Sequence, residues 1–123
     1  MKKLNGVRIC LMSILLMLLV SGSALAYDSL KMYNETGRTI VAVYLFPAYS
    51  SACGPDRLSE VWNHGNSLTI PVPTKRYWDL RIRFDNGDSR EWSGSGHHID
   101  TVNVYNLKIA PSGGGRYTLY YNI

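Results

Sequence analysis

Apolar and polar residues alternate along most of this chain with a period of two, the repeat of a β-strand rather than a helix. The clearest stretch places Trp78, Leu80, Ile82 and Phe84 on one face and Asp79, Arg81, Arg83 and Asp85 on the other. Such alternation predicts one face in the core and one in water. Asn86-Gly87 follows and predicts a type I′ hairpin turn, with Ser89 to Trp92 returning antiparallel. Residues 39–46 are apolar on both faces, as suits a central strand, and Pro47 ends them. Leu68, Ile70 and Val72 share a face, and Pro71 and Pro73 assign that strand to a sheet edge. Leu30 to Asn34 also alternates. Val102 and Val104 share a face, whereas Leu107 and Ile109 have the opposite parity, which predicts a bulge or bend near Tyr105-Asn106. Tyr117, Leu119, Tyr121 and Ile123 form the last stripe.

Two segments depart from this rhythm. Ala48 to Asn66 is long and irregular, and Leu58, Val61 and Trp62 after Pro55 predict one or two helical turns. Residues 1–26 read as a cleaved signal peptide. Lys2, Lys3 and Arg8 precede an apolar run from Ile9 to Val20, and Ala24 and Ala26 form a small-residue cleavage pattern. A membrane span needs about 20 apolar residues, more than this run supplies. The expectation is therefore a single domain over 27–123, periplasmic or secreted, with no transmembrane span after cleavage. Seven short strands and little helix predict an all-β, antiparallel β-sandwich.

Charge narrows the partners. Three of the thirteen Lys and Arg lie in the leader, which leaves ten against nine Asp and Glu. That balance, with export, argues against nucleic acid. Cys10 also lies in the leader, so Cys53 is the one cysteine of the exported segment. In an oxidising compartment a lone cysteine is buried, free and reactive, or tied to another chain by an intermolecular disulfide.

The order of several short motifs resembles a family of small secreted or periplasmic bacterial β-sandwich domains of uncharacterised function. They are Asn34-Glu35-Thr36-Gly37-Arg38-Thr39-Ile40, Gly54-Pro55-Asp56-Arg57-Leu58, Trp78-Asp79-Leu80-Arg81, Asp85-Asn86-Gly87 and Trp92. The resemblance implies an all-β envelope domain and no particular reaction. Where related domains carry a crosslinking cysteine pair, this chain has Tyr77 and Thr101 nearby.

Several constellations invite chemistry. Cys53 with His64 suggests a thiol enzyme, but nothing supplies a base in reach or an oxyanion site. Asp56, Asp85 and Asp88 suggest calcium, the one cofactor the residues bring to mind, since hard cations take several oxygen ligands from loops. Hairpin and capping roles account for the same residues. His97 and His98 point to opposite faces of an extended chain, so they chelate poorly together and belong in solvent. The nine tyrosines and three tryptophans are the more informative excess. Tyr44, Tyr49 and Trp62, with Asp79, Arg81 and Arg83, form the candidate binding surface. The expected function is non-catalytic binding of an envelope or extracellular macromolecule, with self-association permitted by exposed edges and tyrosines.

Overall fold

The computed structural model describes residues 28–73 and 76–123. The expected leader and its cleavage site lie outside the described residues. The described chain contains eight β-strands and no helix. They are β1 (Asp28–Asn34), β2 (Ile40–Pro47), β3 (Ser67–Val72), β4 (Tyr77–Phe84), β5 (Ser89–Trp92), β6 (Ile99–Asp100), β7 (Asn106–Gly113) and β8 (Arg116–Tyr121). One sheet has the order β3-β1-β7-β8. The other has the order β2-β4-β5, with β6 also pairing to β4.

The two sheets share one hydrophobic core, a sandwich-like arrangement. Leu30, Met32, Leu107 and Ile109 from the first sheet meet Val43, Leu45, Trp78, Leu80, Ile82 and Phe84 from the second. At one end Phe84 and Tyr117 bring their rings to 5.2 Å, with Arg38 stacked 3.9 Å over Phe84.

Most pairings are antiparallel, but β1 and β7 run parallel, so the purely antiparallel expectation is corrected at that contact. The helical turns expected after Pro55 are absent. A bulge between Ile40 and Ala42 lets Ile40 and Val43 both face the core, which explains an apolar run without alternation. The change of parity near Tyr105 is a turn over 100–104, in which Asp100 O accepts Asn103 and Val104 N–H. Val104 is buried there and Val102 is exposed, so the two do not share a face.

The β4–β5 hairpin sits where Asn86-Gly87 places it, but its turn differs. Gly87 N–H donates to Phe84 O, Phe84 N–H donates to Asp88 O, and Gly87 has φ +95° while Asn86 does not enter the positive region. This is a three-residue loop, a type I turn closed by a left-handed glycine. A type I′ turn would need positive φ at Asn86 as well.

Asn34 organises the connection from β1 to β2. It is fully buried. Its Nδ2 donates to Arg38 O at 2.9 Å and to Trp62 O at 2.8 Å. Its Oδ1 accepts the Thr36 N–H at 3.0 Å and the Thr36 hydroxyl at 2.6 Å. The Asn-Glu-Thr-Gly-Arg motif is thereby a turn built on one buried amide.

Candidate functional site

The register of β2, β4 and β5 defines the outer face of the second sheet. Ile82 and Leu80 pair with Val43 and Leu45 and point inward. On the opposite face Arg83 pairs with Ala42, Arg81 with Tyr44, and Asp79 with Phe46. Glu91 of β5 pairs with Arg81 from the other side. A row Tyr44–Arg81–Glu91 therefore crosses three strands on one face. Tyr44 and Arg81 are half-buried, and Arg83 and Glu91 are exposed.

One end of this face is closed. Asp79 is 1% exposed, which corrects the expectation that it stands in water with Arg81 and Arg83. His98, the residue before β6, packs against it, since β6 pairs with β4 at Tyr77 and Trp78. Its Nδ1 lies 2.5 Å from Asp79 Oδ1, and its side chain is itself nine-tenths buried. An ionised carboxylate only accepts, so Nδ1 carries the hydrogen and Nε2 of a neutral ring is the acceptor. Nε2 is buried with no hydrogen-bond partner. The Tyr49 and Tyr77 rings lie over this imidazole, at 4.8 and 6.2 Å between centroids. Tyr49 is 82% exposed and adopts φ +67°, a left-handed conformation that costs energy outside glycine. His97 is exposed, whereas His98 is not, so the reading of both as solvent-facing is corrected for His98.

The remaining candidates fall elsewhere. Trp62 is 3% exposed, and its Nε1 donates to Asn66 O at 2.9 Å, so it belongs to the core and not to a binding surface. Asp56 sits at the outer edge of β2, where Oδ1 accepts N–H groups from Val43 and Leu58, both at 3.0 Å. Asp85 and Asp88 lie in the β4–β5 hairpin, and Asp88 pairs with Arg38 at 3.5 Å. Among the described residues no group of three or more His, Cys, Asp and Glu gathers as metal ligands would. Cys53 is fully buried and is not a free cysteine. His64 Nδ1 accepts the Gly37 N–H at 3.0 Å. Arg57 donates Nη2 to Leu45 O at 2.8 Å and leaves Nε buried without a partner, and burial lowers its pKa. It lines a depression of about 150 Å³ together with Leu58, Trp62, Asn66 and Leu68.

Sequence pattern missed Phe46, Tyr77 and His98. The only available signal was the Asp79–His98 combination, and 19 residues separate the two.

No protein-family model matches the chain, and no curated protein matches it. The fold is similar to that of the NMR structure of a protein from Eubacterium rectale, with a TM-score of 0.57 and 7% identity over 80% of this chain and 91% of that one. A likeness at that identity concerns the fold alone. Among the described residues no helix is long and apolar enough to cross a membrane.

Proposed function

We propose that this chain is an exported, non-catalytic β-sandwich module that binds a macromolecule of the bacterial envelope through the outer face of β2, β4 and β5. The observation that carries the reading is the Tyr44–Arg81–Glu91 row beside exposed Arg83. Tyrosine and arginine are the residue types enriched where protein surfaces meet partners, because each offers broad contact area and directional hydrogen bonds. The basic, apolar, small-residue order of residues 1–26 supports export.

The test is a crosslinking pull-down from the host envelope, comparing the native chain with the Arg81→Ala/Arg83→Ala double variant. A discrete partner that the double variant loses, at an unchanged melting temperature, supports the reading. Equal capture by both proteins removes this face from the proposal. N-terminal sequencing of the exported protein should begin at Tyr27, and an intact leader would overturn export by cleavage.

A further inference from the structure

The two sheets have four lateral edges, and three are protected by visible devices. The outer edge of β2 is covered by residues 56–62. Ile40 exchanges both backbone hydrogen bonds with Trp62, and Val43 is bonded to Asp56 and Arg57. On β3 the hydrogen bond between Asn34 and Asn66 sets the alternation, so Ser67, Thr69 and Pro71 turn their backbones outward. Pro71 then removes an N–H from that edge. β5 has only four residues, two of them charged.

β8 has none of these devices. Asn122 N–H donates to Asn106 O. Counting back along the β7–β8 register, Tyr120 and Thr118 bond to β7, while Tyr117, Leu119 and Tyr121 turn their N–H and C=O groups outward. No residue among those described pairs with that edge. Tyr120 and Tyr121 beside it are 40% and 42% exposed.

From this edge we infer that β8 pairs antiparallel with β8 of a second copy of the chain, joining two four-stranded sheets into one of eight strands. The edge is complementary to itself. A two-fold axis at Leu119 sets Leu119 opposite Leu119 and Tyr117 opposite Tyr121 of the second copy, so all three outward positions meet outward positions. Arg116 is the only charge on the strand. The antiparallel register sets it opposite neutral Asn122 of the second copy, whereas an in-register parallel arrangement would oppose two arginines. The interface is isologous and closed, so it stops at a dimer. It lies on the first sheet and leaves the Tyr44–Arg81–Glu91 face free.

Analytical ultracentrifugation of the purified chain over a range from 1 to several hundred micromolar (~10²-fold) tests the proposal, with the range set by the affinity scale of transient dimers. The expected result is a doubling of mass with concentration. Tyr121→Pro removes an outward N–H while breaking no bond to β7, and should remain folded and monomeric throughout; Tyr121→Phe should dimerise like the native chain. If Tyr121→Pro does not fold, amide exchange of the native chain decides. The Tyr117, Leu119 and Tyr121 amides should then exchange more slowly as concentration rises, while Thr118 and Tyr120 are unchanged. A native chain that stays monomeric across the range overturns the proposal, even if it captures an extended peptide from another protein. A Tyr121→Pro variant that still dimerises, or edge amides indifferent to concentration, overturns it equally.

Discussion

The Asp56 carboxylate accepts the backbone N–H of Val43 at 3.0 Å, in the place where a neighbouring strand's carbonyl would stand. Arg57 N–H completes the imitation by donating to Val43 O at 2.7 Å. A segment without alternation thus satisfies the β2 edge at Val43 using one side chain and one amide, and Asp56 also holds the Leu58 N–H and fixes the local turn. The Gly-Pro-Asp-Arg-Leu motif is in this light an edge cover.

Replacing Asp56 separates this role from a calcium role. Asp56→Ala leaves two N–H groups without their acceptor and should cost about 1–3 kcal/mol, seen as a lower melting temperature. Asp56→Asn keeps Oδ1 and should cost less than half of that. Under the edge-cover role added calcium changes neither melting point. A rise with calcium in the native chain that Asp56→Asn abolishes would restore the ligand role.

Asn34 should be the least replaceable polar residue of the fold. Its amide serves the carbonyl of Arg38 nearby and that of Trp62, 28 residues further along the chain, and its oxygen holds Thr36. Asn34→Asp retains the acceptor but turns a donor into a charge facing the Arg38 and Trp62 carbonyls. A loss of about 2–4 kcal/mol is expected in urea unfolding, from two lost donors and a buried charge. A loss under about 1 kcal/mol would show that the turn is held by the backbone alone.

The acid limb of stability should contain Asp100. Its carboxylate is held below the ordinary value of 3.8, first by the Asn103 side-chain amide; desolvation opposes this, and the Val102 N–H, the Arg76 charge and the Asn103 N–H each add a further lowering effect. A depressed folded pKa adds stability that is fully present above the unfolded value and is lost as pH falls through the folded one. Asn103→Ala should therefore move the Asp100 titration upward toward 3.8, followed by carboxyl chemical shifts across the acid range. An unmoved titration would mean that the backbone donors suffice.

What the sequence reveals and hides follows from the range of the forces involved. The β4–β5 hairpin and the edge position of β3 are written in a few adjacent residues, Asn86-Gly87 and Pro71, because turn and proline chemistry act locally. The turn type was not legible, since the alternatives differ by whether Asn86 or only Gly87 takes positive φ. The parallel β1–β7 contact hides for a different reason. Met32 and Leu107 alternate as they would in any half-buried strand, and direction is decided by how the chain crosses between sheets. Asp79 reads as solvent-facing because its own strand says so, whereas the partner found on it, His98, is 19 residues away in sequence.

That pair also gives the last prediction. His98 keeps a buried, unbonded Nε2, and its ring packs at a tilt against that of Tyr49, a residue otherwise open to solvent. Tyr49→Ala removes the ring and relieves a left-handed tyrosine only in part, so stability should change by less than about 1 kcal/mol. The reactivity of His98 should change far more. Diethyl pyrocarbonate attacks an unprotonated ring nitrogen, and Nε2 is the one that Asp79 leaves without hydrogen. His98 should react slowly in the native chain, at least ~10-fold slower than exposed His97, by analogy with the access control that governs other buried nucleophiles. Tyr49→Ala should bring the two rates together, as read by peptide mass analysis. Equal rates in the native chain would show that Tyr49 leaves the imidazole accessible in solution. An unaltered slow rate in Tyr49→Ala would assign the cover to Tyr77 instead.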